Sequence, residues 1–139
     1  MLTLARIAVA SVAVVGMTAV ALCARQPTVA HLNGTWELAE MHSRPVQQIG
    51  ANSLPTFTVT GDVIEGFDGC NKFWGRLDKP GGLASTRRGC VDDAVKLPLD
   101  LTDPKSHLKA GRLERDTLVL PARAGMPAST FRRVKPPRQ

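Results

Sequence analysis

The stretch Gly66-Phe67-Asp68-Gly69-Cys70-Asn71-Lys72-Phe73-Trp74-Gly75 constrains this chain more than any other. Two glycines bracket Phe67-Asp68 and a third closes the run, so the backbone can turn where a side chain would obstruct it. A cysteine sits at the centre and two aromatic residues follow. The pattern reads as a tight turn and a bend between two strands, with a thiol placed to meet a partner. The segment before it is β as well. In Thr56–Thr60, Phe57 and Val59 alternate with three threonines, the period of a half-buried strand. Gly61-Asp62 is a two-residue turn signal, so Thr56–Thr60 and Val63–Phe67 should form a hairpin.

The rest of the chain follows the same grammar. Thr35–Met41 puts Trp36, Leu38 and, less cleanly, Glu40 on one face. Lys72–Leu77, Leu83–Arg88, Leu108–Leu113, Thr117–Leu120 and Ser129–Val134 read as further strands, with Leu118, Leu120 and Phe131 inward. Lys79–Gly82, Glu114–Asp116 and Ala124–Pro127 supply turns. Asp92–Leu101 is the helical candidate, with Asp92 or Asp93 as its cap. Pro98 interrupts it and Pro104 bars its continuation, so a turn or two is expected. The sum is a mainly β domain of about eight short antiparallel strands with one short helical insert. A single twisted sheet of that length curls toward a partly open barrel, because closure removes exposed edges.

The 139 residues suit one domain, and roughly 110 of them are left for a modest core once a leader is set aside. Aromatics make up 4% and Tyr is absent. Leu, Val and Ile must therefore fill the core around Trp36, Phe57, Phe67, Phe73, Trp74 and Phe131.

Met1–Leu22 reads as a signal peptide or lipoprotein leader. Arg6 gives the positive start, and Ile7–Leu22 is apolar apart from Ser11, Gly16 and Thr18. Ala19-Val20-Ala21 fits a small-x-small cleavage site. Val20-Ala21-Leu22-Cys23 is similar to a bacterial lipobox, in which Cys23 would be lipidated. Residues 23–31 are a tether, 32–134 the β domain and 135–139 a disordered basic tail. Loss of Arg6 leaves 17 Lys and Arg against 12 Asp and Glu, a net +5. Arg132, Arg133, Lys135 and Arg138 read as solvated tail charges. A basic surface of this kind can meet an envelope protein, lipid or an anionic polymer. No specific nucleic-acid partner is implied, membrane contact is expected only through a lipid anchor, and the protein is expected to be a monomer.

Several segments together resemble one family. Leu32-Asn33-Gly34-Thr35-Trp36-Glu37-Leu38 looks like the opening strand of the META domain, the family of HslJ-like heat-shock proteins. Gly66–Gly75 is similar to its signature turn, in which Gly-Cys-Asn precedes an aromatic residue and a glycine. Ala84-Ser85-Thr86-Arg87-Arg88-Gly89-Cys90 resembles its second signature, with Arg88 where Met is usual and Gly89 where Ala is usual. Leu113–Leu120 resembles a late Gly-Asp-x-Leu-x-Leu strand pair, with Arg115 replacing the glycine. The resemblance implies a lipocalin-like, partly open β barrel and an exported protein of the periplasm or outer membrane, often a lipoprotein. It implies no catalytic activity and no cofactor.

Cys70 and Cys90 are best read as a disulfide. If Cys23 is lost or lipidated, an even number of thiols remains in an oxidising compartment. The alternatives are a redox-active pair, which lacks Cys-x-x-Cys spacing, and a metal site recruiting His31, His42 or His107. No Ser, His or acidic grouping has the spacing of a catalytic site. Asn71 lies in a glycine-rich turn, where it can bond the local backbone or contact a ligand. Phe73 and Trp74 point to opposite faces of a strand, so one should be core and the other shielded by the insert or exposed for binding. Trp74, Asn71, Arg87 and Arg88 are the candidate surface-binding residues. The leading reading is an exported, non-enzymatic domain that is stress-related or binds a partner. A carrier of a small apolar ligand or lipid is the alternative.

Overall fold

The computed structural model describes residues 26–47, 53–90 and 95–135. The leader, Cys23, the caps expected at Asp92 or Asp93, and Arg138 lie outside the described residues. Among the described residues, nine strands form one antiparallel sheet: β1 (Gly34–Met41), β2 (Arg44–Pro45), β3 (Thr56–Thr60), β4 (Val63–Phe67), β5 (Lys72–Arg76), β6 (Ala84–Ser85), β7 (Arg112–Glu114), β8 (Thr117–Leu120) and β9 (Ser129–Val134). Pairing runs β6-β5-β4-β3-β1-β9-β8-β7, with β2 attached to β1. The end strands β6 and β7 do not pair with each other, so the sheet curls into a barrel that stays open on that side. The strand beyond the expected eight is β2.

Alternation decides which face is core. Trp36 and Leu38 of β1, Phe57 and Val59 of β3, Ile64 of β4, Phe73 of β5, Leu118 and Leu120 of β8 and Phe131 of β9 are all buried. The Phe57 ring meets Phe131 edge-on, with centroids 5.2 Å apart, a favoured aromatic geometry. A register shift between Leu38 and Glu40 bulges β1. Met41, opposite the buried Ser129, thereby returns to the core side. The bulge explains why Glu40 fitted the alternation poorly.

The gap in the barrel is covered by the segment after residue 94. Leu97 and Leu99 are buried. The Leu97 amide donates to Asp68 O at 2.7 Å, and the Leu83 amide donates to Leu101 O at 2.7 Å. This strap therefore hangs from the β4–β5 turn and from the start of β6. An α-helix, α1 (Pro104–Ala110), continues it.

Several expectations are corrected. Described residues 95–101 form an extended strap and not a helix, because Pro98 cannot donate within one. The helix begins instead at Pro104. Proline is favoured at the first helical position, where its missing N–H leaves nothing unpaired, and the Asp103 side chain accepts from the Ser106 amide. Helix α1 also takes Leu108–Ala110 from the strand expected at Leu108–Leu113, leaving β7 with three residues. Leu83–Arg88 forms only the two-residue β6, since its later amides turn inward to Asn71 and Lys72. Lastly, the segment expected as a tether ends in a turn of 3-10 helix at Val29–Leu32, and Leu32 is fully buried.

Arg133 belongs to that same end of the barrel and not to a solvated tail. It follows Phe131 by two on β9, so it shares the inner face. Its guanidinium donates to Asn33 O and to His31 O, and it pairs with Asp116 at 3.3 Å. The Trp36 indole N–H in turn donates to Leu32 O at 2.8 Å.

Candidate binding surface

The signature stretch separates into residues with structural duties and residues without them. Gly66 faces the core between Phe57 and Phe73. A Cβ there would stand 2.6 Å from Phe73 Cζ and 2.9 Å from Phe57 Cα, so the glycine makes room for the Phe73 ring. Asp68 Oδ1 accepts from the amides of Cys70 at 2.8 Å and Asn71 at 2.6 Å, an Asx turn. Gly69 has φ +103°, and the strap carbonyl of Val95 lies where its side chain would be. Cys70 is bonded to Cys90, with Cα atoms 5.6 Å apart. This staple holds the β4–β5 turn to the segment after β6.

Asn71 completes that clamp. Its Oδ1 accepts from the Arg88 amide at 2.7 Å and from Thr86 Oγ1 at 3.1 Å, and its Nδ2 lies 3.7 Å from Cys90 Sγ. Thr86 Oγ1 accepts from the Lys72 amide at 3.1 Å. The side chain named as a candidate ligand contact thus closes the loop that carries the disulfide. Arg87 and Arg88 are exposed beside it, and the Arg88 backbone is part of the clamp.

The three residues of the stretch that point outward are Phe67, Lys72 and Trp74. Phe73 is 1% exposed and Trp74 is 49% exposed, which assigns the core position to Phe73 and the surface position to Trp74. Trp74 stands opposite Glu65 on β4, and Lys72 stands opposite Phe67. Thr58 and Thr56 continue these two rows on β3. The six side chains line a shallow depression of about 390 Å³ on the outer face of the sheet. Thr58 Oγ1 shares a hydrogen bond of 2.9 Å with Thr35 Oγ1. Among the described residues, neither Glu65 nor Lys72 has an ion-pair partner. The sequence pointed to Trp74 but not to Glu65, Thr56 and Thr58, and it counted Phe67 and Trp74 among the core anchors, whereas strand alternation turns both to the outer face. The alternation that places Glu65, Phe67, Thr56 and Thr58 beside Trp74 was already visible.

The histidines are dispersed. His31 Nδ1 accepts from Thr28 and His42 lies in the turn between β1 and β2. His107 is fully buried. The Asp100 amide donates to His107 Nδ1 at 3.1 Å, and His107 Nε2 faces Pro121 O at 3.0 Å. Since a carbonyl only accepts, the ring carries its proton on Nε2. This imidazole ties the strap to the end of β8. Among the described residues, no group of three His, Cys, Asp or Glu gathers as a metal site.

Arg123 pairs with Asp103 at 3.0 Å and with Asp100 at 3.5 Å. Bonds from the Thr102 hydroxyl and amide, then from the Asp103 amide and the charge of Arg123, hold the Asp100 carboxyl below its ordinary range. Bonds from Ser106 and then Arg123 lower that of Asp103. Both carboxylates organise the entry to α1.

A family model for the META domain matches residues 28–135, most of the chain and all of the barrel. The chain belongs to the META domain family. No curated protein and no solved structure matches it. The META signature is thereby explained in physical terms. Its glycines admit the Phe73 ring and the strap, its Asp and Asn build the turn and clamp, and its cysteine forms the staple. The META domain is not a known enzyme family.

Proposed function

We propose that this protein is an exported META/HslJ-like domain of the bacterial envelope that acts by binding, through the outer face around Trp74. One observation carries the reading. In a chain with six aromatic residues, one Trp of the signature stretch is left half exposed, over a depression, without a structural duty. An indole so placed offers a partner a broad apolar face and one N–H donor, the combination that enriches Trp at interfaces. The staple between Cys70 and Cys90 suits an oxidising compartment. Such a domain would serve stress tolerance by engaging an envelope component, anchored through Cys23 if that cysteine is acylated.

The carrier reading places the ligand inside the barrel. That interior is occupied by Trp36, Phe57, Phe73, Phe131 and their leucine neighbours, all buried, which speaks against it. A redox reading needs Cys70 or Cys90 as a thiolate.

The test has two parts. Intact mass of protein from cells expressing the full chain should show a processed product, with Cys70 and Cys90 alkylated only after reduction. An unprocessed chain beginning at Met1, with thiols alkylated beforehand, contradicts export. A photo-crosslinking residue at position 74 should give an adduct in intact cells, and one at Arg112 on β7 should not. Equal labelling from both positions, or none at position 74, contradicts the surface assignment.

A further inference from the structure

We infer that the depression around Trp74 is a glycan subsite, taking a neutral sugar ring against the indole. The inference deepens the proposed surface function and rests on it.

The lining selects the chemistry. An exposed indole on a strand offers a broad apolar face. A lipid tail would need that face continued by more apolar side chains. Within the depression only Phe67 continues it, on one diagonal from Trp74; Val63, exposed on the other diagonal, stands outside the lining. The remaining side chains are Glu65, Lys72, Thr56 and Thr58, all hydrogen-bonding groups. A polyanion would need uncompensated cations. Here one carboxylate and one ammonium face the same depression, so its formal charge sums to zero. A nucleic acid meets the same objection, since the Glu65 carboxylate stands opposite Trp74 and would repel phosphate.

What remains is a ligand that is apolar on one face, uncharged, and ringed by hydroxyls. A pyranose has this character: its axial C–H bonds form an apolar face and its equatorial hydroxyls both donate and accept. The C–H face fits the indole. The rim fits the groups around it. Glu65 accepts two hydroxyl protons, Lys72 donates to hydroxyl or acetamide oxygens, and Thr56 and Thr58 do either. Phe67, one strand over, supplies a second apolar contact for a neighbouring ring. Ligand sites combine an apolar floor with a few convergent polar groups in this way. The rigid staple behind β5 holds Lys72 and Trp74 in register. The floor therefore exists before the ligand arrives, which lowers the ordering cost of binding.

The test uses the mature full-length protein with its disulfide intact. Tryptophan emission and heteronuclear NMR shifts are followed on titration with N-acetylglucosamine tetrasaccharide, cellotetraose and maltotetraose. At least one should bind saturably, with shifts confined to β3, β4 and β5. Trp36 is buried, so the emission change should come from Trp74. Trp74→Ala should weaken binding about tenfold or more, and Trp74→Phe less. Glu65→Gln should weaken it without changing the melting temperature. Binding should be nearly the same at 50 and 500 mM salt, because a neutral ligand releases few counterions.

Binding to none of the three overturns the glycan inference, as does binding that survives Trp74→Ala or collapses with salt. If the cellular crosslink from position 74 persists in that case, the surface is intact as an interaction site and its partner is a protein. If that crosslink also fails, the surface function falls with the glycan.

Discussion

The guanidinium of Arg133 lies over the ring of Trp36, 4.3 Å from its centroid. The two residues are cross-strand partners on β9 and β1. Arg133 also donates to the carbonyls of His31 and Asn33, and Trp36 donates to Leu32. One pair therefore closes the barrel end and fixes the 3-10 turn that delivers Leu32 to the core. Arg133→Ala should destabilise by about 1–2 kcal/mol, from the lost cation–π contact and the orphaned carbonyls. Arg133→Lys should recover less than half of this, since an ammonium cannot serve two carbonyls and the ring together. Chemical denaturation of the two variants decides it, and a fully stable Arg133→Lys contradicts the geometry.

Two hairpins share a two-residue loop with Asp second. Gly61-Asp62 joins β3 to β4, and Arg115-Asp116 joins β7 to β8. Gly61 has φ +58° and Arg115 has φ +54°. Only the first of them is a residue that takes this conformation freely. Arg115→Gly should therefore stabilise by up to about 1 kcal/mol, part of the gain being offset by a freer unfolded chain. Gly61→Ala should destabilise by a similar amount. Urea midpoints of both variants test the pair, and a destabilised Arg115→Gly contradicts it.

His107 bridges two backbone groups inside the core. His107→Leu should cost about 2–4 kcal/mol, because it leaves the Asp100 amide and the Pro121 carbonyl unpaired while filling a similar volume. Hydrogen exchange at the Asp100 amide should rise with it. Unchanged protection there would contradict the bridge.

Acid should loosen the strap before the sheet. Asp100 and Asp103 have carboxyls held below the ordinary aspartate range in the folded chain. A depressed folded pKa contributes stability that is present above the unfolded value, about 4, and is lost as pH falls through the folded one. Stability should therefore decline below about pH 4. Asp100→Asn should lower stability at neutral pH and flatten the decline. Melting curves from pH 2 to 7 test this, and an acid limb unaltered in Asp100→Asn contradicts it.

The strands were legible because their signal is local. Phe57 and Val59 alternate with threonines, Leu118 and Leu120 with Thr117 and Val119, and turn residues separate the runs. The strap and helix were less so. Pro98 and Pro104 both read as breakers, yet Pro104 opens α1 because Asp103 stands before it as a cap. That Asp-Pro pair was the available signal. The fully buried His107 had no local mark at all, since its partners are Asp100 and Pro121 and their meeting is a product of the fold. Arg133 shows the same limit. Among basic neighbours it looked like a tail charge, and only its register with Trp36 makes it the closure of the barrel end. In the signature stretch, composition identified the turn and the staple. Separating Phe73 from Trp74 required knowing which face of β5 the barrel encloses.

If Trp74 serves the surface and not the scaffold, paired unfolding of Trp74→Ala and Phe73→Ala in the full chain separates the two residues. Phe73→Ala should cost about 3–5 kcal/mol, as truncation of a buried Phe does. Trp74→Ala should stay within about 0.5 kcal/mol of the parent, as exposed substitutions do. A Trp74→Ala variant that unfolds as readily as Phe73→Ala would make the indole part of the scaffold and remove the basis for a binding surface there.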